Sequence, residues 1–333
     1  MWSWIKRISL FVLCLALLAS AGLGWYALSP VTLHTDPADF SIKPGSSLKI
    51  ATRQIVESGV ELGAWRFNLL GRLLGRAGAI KAGSYEVNRG ITPLALLDKL
   101  TAGEVTLTEL VFIEGWTFKQ MRAALDTDPE LRHDSAALSD EQIMDRLGAA
   151  GRNPEGLFFP DTYLFGKGSS DLDILKRAYR AMQRQLDAAW RGRTPDLPYR
   201  SPYEALIMAS VIEKETGQAT DRALIGGVFV NRLRIGMMLQ TDPTVIYGLG
   251  DRFHGNLRKK DLRADTPHNT YTRAGLPPTP ISMPGQAALH AALNPAPTKA
   301  LYFVARGDGT SEFSRTLAEH ERAVAKYQRR GRH

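Results

Sequence analysis

From Ile8 to Leu28 the chain carries no charged residue, and a run of this length matches the roughly 20 apolar positions that cross a bilayer. Residues 8–28 are therefore expected to form a transmembrane anchor. Ala19-Ser20-Ala21 is similar to a signal-peptidase site, but Leu23, Trp25, Tyr26 and Leu28 carry the apolar run past it. The aromatic pair suits the interfacial belt of an uncleaved span. Because Lys6 and Arg7 precede the run, the N-terminus is expected in the cytoplasm and the rest of the chain outside it.

Past the anchor, one short pattern recurs. Phe40-Ser-Ile42-Lys-Pro-Gly45-Ser-Ser47, Tyr85-Glu-Val87-Asn-Arg-Gly90-Ile-Thr92 and Leu110-Val-Phe112-Ile-Glu-Gly115-Trp-Thr117 each place a Gly five residues after the start of an apolar-rich strand and a Ser or Thr two further on. The Gly supplies the turn and the hydroxyl residue the N-cap of an amphipathic helix. Helices alternate with polar turns from Thr117 to Leu147, and Leu172 to Trp190 predicts one long amphipathic helix. Pro277, Pro278, Pro280, Pro284, Pro295 and Pro297 predict loops, and Leu301 to Ala305 a strand. A last helix is expected over Thr316 to Arg329, followed by a frayed basic tail at 329–332.

The most informative stretch runs from Ser201 to Gly250. Ser201 is a good N-cap, Pro202 suits the first helical position, and Glu204 stands where a capping box needs it. Ala205 to Ile212 is almost continuously apolar, which predicts a helix buried on most sides. Two carboxylates end it. Glu213 and Glu215 stand roughly 200° apart around a helix, so they meet different surroundings. Glu215 follows Ile212 by three, Val211 by four and Met208 by seven, and so continues the apolar stripe; Glu213 shares a side with Ser210 and can reach outward. A carboxyl at the end of such a stripe loses hydration, and its pKa rises toward the range where it can donate a proton near neutrality. Periodicity alone also fits a helix-terminal Glu paired with an Arg. A second apolar segment, Leu224 to Val230, ends in Asn231 and Arg232. The turn-rich Leu239-Gln240-Thr241-Asp242-Pro243-Thr244 and then Tyr247 follow. Polar side chains gathered with an aromatic face are the furnishing of a carbohydrate site, although Asp242 before Pro243 equally suits a plain turn.

The wording of this stretch, A-S-x-I-E-K-E-T and then V-F-x-N-R-L-x-I-G-M-x-L-Q-T-D-P-T-V-I-Y-G, resembles the MltG-type (YceG-like) endolytic murein transglycosylases. The likeness continues in Asn269-Thr270-Tyr271, Gly275-Leu276-Pro277-Pro278, Pro284-Gly285 and Asn294-Pro295. Upstream it includes Glu155-Gly156 and Phe159-Pro160-Asp161-Thr162-Tyr163. It departs at Ser311-Glu312-Phe313, where the family often carries a His two residues before the Phe. The resemblance implies an α+β fold with an N-terminal transmembrane helix over 8–28, a small LysM-like subdomain over 31–105 and a mixed α/β catalytic domain over 106–333. The LysM-like fold type is associated with glycans containing N-acetylglucosamine.

The implied reaction cuts between N-acetylmuramic acid and N-acetylglucosamine in nascent peptidoglycan strands, without water, and so ends their elongation. One acid protonates the leaving oxygen and then, as carboxylate, removes the proton of the muramic C6 hydroxyl to close a 1,6-anhydro ring. On the motif this acid/base falls on Glu215. Asn231, Gln240, Asp242, Tyr247, Asn269 and Tyr271 are the candidates for substrate contacts or for orienting Glu215. The implied partners are peptidoglycan glycan strands, with peptidoglycan synthases as further candidates. The implied place is the inner (plasma) membrane, single-pass, with the catalytic part periplasmic.

Composition narrows the alternatives. The 333 residues, 44% of them hydrophobic, can bury two cores beside the anchor. The one cysteine, Cys14, lies in the apolar run, so no intrachain disulfide can form and thiol chemistry is disfavoured. Net charge is +8, of which Lys6 and Arg7 supply two. The cations form no dense stripe with interleaved aromatics, which argues against nucleic acid; attraction to anionic lipid headgroups or acidic murein peptides fits the balance better. There is no G-x-S-x-G, H-E-x-x-H, Walker loop or G-x-G-x-x-G, and the seven histidines lack metal-ligand spacing, so neither metal nor cofactor is expected. Carboxylate chemistry remains. The alternative is a membrane-anchored, non-catalytic glycan-binding scaffold of the cell-wall synthesis machinery. It explains the anchor and the repeat, but not a Glu placed at the end of a buried apolar helix.

Overall fold

A computed structural model describes residues 2–329. Of the expected basic tail at 329–332, residues 330–332 lie outside them. The chain divides into two compact units, one of residues 1–109 with 130–132 and 164–169, the other of 110–129, 133–163 and 170–333.

The first unit opens with α1 (Trp2–Leu28), among the described residues the one helix long and apolar enough to cross a membrane. There follow β1 (Thr32–Leu33), β2 (Ala38–Ile42), α2 (Leu48–Glu57), β3 (Val60–Glu61), α3 (Ala64–Leu73), β4 (Gly83–Val87) and α4 (Pro93–Ala102). β2 pairs antiparallel with β4, Phe40 opposite Tyr85 with their rings stacked at 5.6 Å, and β1 pairs with β3. Along β2 the side chains alternate between core and solvent, so Phe40 and Ile42 meet Leu48, Ile55, Phe67, Leu96 and Leu97 in one core.

The repeated pattern is built as its residues dictate. Gly45, Gly90 and Gly115 adopt φ of 77°, 94° and 78°, which side chains with a Cβ rarely adopt. Ser47 and Thr92 cap α2 and α4, and Thr117 caps α5 (Phe118–Thr127), each accepting a backbone N–H three residues on.

The chain passes from one unit to the other within β5 (Thr108–Val111) and again within β6 (Thr162–Phe165), which pair with each other; the second unit contains α5, α6 (Asp140–Arg146) and α7 (Asp171–Arg191). After these come α8 (Pro202–Glu215), α9 (Ala219–Arg234), α10 (Asp242–Leu249), α11 (Lys259–Arg263), α12 (Gln286–Leu293), the antiparallel hairpin β7 (Tyr302–Ala305) and β8 (Ser311–Ser314), and α13 (Leu317–Val324). α8 is central and touches α7, α9, α10 and α12.

Two expectations need correcting. The turn-rich Leu239 to Thr244 gives way at Asp242 to a helix, because Thr241 occupies the N-cap and Pro243 is tolerated in the first turn, where its missing N–H costs nothing. The last helix is regular only to Val324 and widens into a π-helical turn over Ala325–Arg329.

Candidate active site

Leu206, Met208, Ala209, Val211 and Ile212 of α8 are completely buried. With no free face along its middle, the helix delivers its last turn to whatever its neighbours place there. Ser201 accepts the Glu204 N–H at 3.3 Å, while the Glu204 carboxylate accepts the N–H of Arg200 at 2.6 Å, one residue before the expected capping-box donor.

Glu215, the final residue of α8, is half-buried. Its Oε1 accepts a hydrogen bond from the Thr241 hydroxyl. Burial pushes its carboxyl pKa above the ordinary value; the Thr241 bond and the Arg232 guanidinium oppose the rise, and the Asp242 charge adds to it. The net effect is upward, so the proton is kept to higher pH than on an exposed Glu.

The Thr241 hydroxyl is aimed by a ring of buried threonines. The Thr241 N–H donates to Thr270 Oγ1 at 3.1 Å, and Thr270 and Thr244 Oγ1 lie 2.9 Å apart. Thr244 Oγ1 donates to the Thr241 carbonyl at 2.7 Å, leaving Thr270 as the donor between the two hydroxyls. Just before Thr241, Gln240 is exposed and holds φ at 49°, a left-handed backbone that costs a non-glycine residue on the order of 1 kcal/mol. Arg232, buried on α9, donates from Nε to Leu301 O at 2.7 Å and from Nη1 to Leu239 O at 2.5 Å, and so ties the segment entering the site to the chain beside β7. Asp242 is exposed and accepts the Tyr271 hydroxyl at 2.5 Å. Burial and then that carboxylate raise the Tyr271 phenol pKa, so it stays a donor.

Of the residues singled out from sequence, Glu215, Gln240, Asp242 and Tyr271 are thus gathered in one place. The other three are engaged elsewhere. Asn231 donates to the carbonyls of Thr298 and Ala300 at 2.9 and 3.1 Å. Asn269 is 0% exposed and clamps a loop, donating to Ala264 O at 2.7 Å and accepting the Tyr271 N–H at 2.8 Å. Its buried side chain exposes no surface and is bonded to the Tyr271 backbone. The hydroxyl of Tyr247 donates to Glu155 Oε2 at 3.1 Å, and its ring meets His268 at 4.9 Å between centroids.

Glu213 does not reach outward as its periodicity suggested. The segment 281–285 covers that side: Ser210 Oγ accepts Ile281 N–H at 3.0 Å and Glu213 Oε2 accepts Gly285 N–H at 2.9 Å.

Thr241, Thr244, Thr270, Arg232 and Glu155 stand within the motifs quoted from the sequence but were not among the candidate site residues. Arg232 left a local signal, a cation closing an apolar helical run, and Glu155 one only through the motif Glu155-Gly156. Glu155 is buried, accepts Phe118 N–H at 3.1 Å as well as the Tyr247 hydroxyl, and borders an open cleft of ≈ 820 Å³ with Arg152, Ile246 and Asp251. Burial raises its pKa from 4.5 to about 7, against the bonds from Phe118 and Tyr247. A carboxyl whose folded pKa exceeds its unfolded value stabilises fully below about pH 4.5 and loses that stability as pH rises through about 7, here roughly 3 kcal/mol in all. The melting temperature is therefore expected to fall from about pH 5 to about pH 8, and Glu155→Gln to remove a large part of that slope. Equal slopes in the two proteins would show that Glu155 ionises freely.

A half-buried carboxyl, raised in pKa and hydrogen-bonded by a fixed hydroxyl, is an arrangement suited to general acid–base chemistry. Among the described residues no cluster of His, Cys, Asp or Glu could hold a metal ion. Residues 40–326 match the YceG-like family, and the chain belongs to it. A Bacillus subtilis protein named endolytic murein transglycosylase is 33% identical over 309 residues, which span 87% of this chain and 84% of the relative. One of the same name from Streptococcus pneumoniae is 27% identical over 74% of this chain; the chain spans about half of that relative's length, 51%. The solved structure of a yceG-like protein from Listeria monocytogenes superposes with a TM-score of 0.55 at 30% identity, over 86% of this chain and 99% of that one.

Proposed function

We propose that this chain is an endolytic lytic transglycosylase of peptidoglycan, with Glu215 as its one acid/base. The observation that carries the reading is the placement of Glu215: a carboxyl whose pKa burial raises, beside a hydroxyl that stabilises it once ionised. Both states are needed. Protonated Glu215 donates to the glycosidic oxygen as the bond from muramic C1 breaks. Ionised Glu215, held by Thr241, then takes the proton of the C6 hydroxyl while that oxygen bonds to C1. The substrate's 2-acetamido group stabilises the positive charge at C1 between the two transfers. No water is consumed, and Glu215 ends protonated as it began.

The supporting cast follows from the geometry. Tyr271 and Asp242, joined by their 2.5 Å bond, and the exposed Gln240 furnish hydrogen bonds for sugar hydroxyls and acetamido groups. Asn231, Asn269 and Tyr247 act by holding the surrounding loops and α10 in place. In the first unit, the order β2-α2-β3-α3-β4 with β2 and β4 antiparallel supports a LysM-like, glycan-holding role. α1 serves as a single-pass anchor in the plasma membrane, with Lys6 and Arg7 on the cytoplasmic side, which delivers both units to the murein and to the synthases that make it.

The rival is a glycan-binding scaffold. Incubating the full chain in detergent with long uncross-linked strands separates the two: an endolytic enzyme collapses the length distribution early, by internal cuts. A scaffold leaves the distribution unchanged while still retaining strands.

A further inference from the structure

The first unit leaves an apolar stripe uncovered. On α3, Trp65, Leu69 and Leu73 follow one another at four-residue spacing and are 67%, 39% and 67% exposed, while Phe67, Leu70 and Gly71 pack the other side into the core. Leu74 extends the exposed surface. At 100° per residue, Arg66 and Arg72 stand roughly 60° to either side of Leu69, and both are exposed. An apolar stripe flanked on both sides by cations is the build of a helix lying in a membrane interface.

The stripe runs beside α1. The Tyr26 hydroxyl donates to the Gly63 carbonyl at 3.3 Å, and the Arg66 guanidinium lies 5.7 Å from the Tyr26 ring centroid and 5.4 Å from that of Trp65. Trp65, Leu69 and Leu73 share an open recess of ≈ 520 Å³ with Ala19, Leu23 and Trp25 of α1. Those α1 residues belong to the charge-free run, so the medium that surrounds them surrounds the stripe as well. Between α2 and α3 a second recess of ≈ 680 Å³ continues this surface, with Lys49 and Arg53 beside Val56 and Leu69.

We propose that α3 is a membrane-surface helix whose partner is a phospholipid leaflet. Trp65, Leu69 and Leu73 enter the acyl boundary at the Leu28 end of α1, and Arg66, Arg72, Lys49 and Arg53 meet the lipid phosphates. The inference rests on α1 being a membrane span. Two observations select lipid as the occupant: the stripe is continuous with the exposed side of α1, and its cations complement anionic headgroups. The first unit is then fixed against the bilayer by two elements and cannot swing freely on a single tether.

Spin labels on the full chain in vesicles of mixed zwitterionic and anionic phospholipid test this. One label sits on the native Cys14, a second on Leu69→Cys and a third on Asp39→Cys, the last two with Cys14→Ser. Asp39 points away from the core on β2, opposite Ala38 and Phe40. Collision with dissolved oxygen reports lipid, and collision with a water-soluble nickel chelate reports solvent. Nickel access at position 69 is expected several-fold below that at position 39 and close to that at Cys14, with oxygen access reversed. If Cys14 is in lipid while position 69 meets nickel as freely as position 39, the proposal is overturned, and the stripe belongs to a helix of another membrane protein. If Cys14 itself meets nickel, the anchor reading has failed and takes the proposal with it.

Discussion

Glu215→Gln is expected to fold, to bind glycan strands and to release essentially no cleaved product. The amide keeps the size of the side chain and can still accept from Thr241, but it can neither deliver a proton to the leaving oxygen nor collect one from the C6 hydroxyl. General acid–base assistance contributes about a hundred- to ten-thousand-fold. With one residue performing both transfers, the loss should sit at the upper end or beyond. Glu213→Gln should keep most of the activity, because its carboxylate accepts from the Gly285 backbone and an amide oxygen can do the same. The wild-type rate should fall on the alkaline side as Glu215, raised in pKa by burial, loses the proton that the first transfer needs. Stability moves in the same direction: ionising a carboxyl whose folded pKa is raised costs stability as pH rises, so the Gln variant should melt no lower than wild type near neutrality. An inactive variant that is also unfolded would say nothing about the chemistry.

Gly226→Ala is expected to be among the most damaging single-methyl changes in the chain. A Cβ at Gly226 of α9 would stand 2.5 Å from the carbonyl oxygen of Ala291 on α12 and 3.2 Å from its carbon. Both are backbone atoms that cannot rotate away, so α9 and α12 must separate. α12 is packed on α8, the helix that carries Glu215, and the disturbance therefore reaches the site through a fully buried layer. Overpacking of this kind costs about 1–3 kcal/mol, and more where backbone must move. Gly217→Ala is the control. Nothing lies within 4 Å of its Cβ position, and a change of at most about 0.5 kcal/mol is expected there. Urea midpoints of the two variants check the contrast; equal midpoints would mean that the α9–α12 layer yields easily.

The features legible in the sequence are those with a local period. Three strand-turn-helix units followed from Gly and hydroxyl residues at fixed offsets, and the burial of α8 from eight nearly continuous apolar positions. The upward pKa shift of Glu215 followed from its register on Val211 and Ile212. The rest of the site is made by contacts distant in sequence. Thr241 meets Glu215 across 26 positions and Thr270 across 29, and no local pattern marks which hydroxyl will do so. Residue type alone does not separate a sugar contact from a structural clamp. Asn231 and Asn269 have the chemistry to hold a sugar, and the same chemistry binds them to backbone carbonyls. Glu213 pointed outward by helical phase, but a segment 72 residues further along folds over it. α10 was hidden because Asp-Pro opens turns and helices alike.

Whether Glu215 works without water is answered by the ends of the fragments. Long peptidoglycan strands digested by the full chain, and in parallel by folded Glu215→Gln, are to be read by mass spectrometry. The wild-type chain should leave 1,6-anhydro-N-acetylmuramic acid at the new ends, lighter by one water than the hydrolysed form, and the variant should leave no new ends. Reducing N-acetylmuramic acid ends from the wild-type chain, or anhydro ends from the variant at near wild-type rate, would contradict a lytic transglycosylase acting through Glu215.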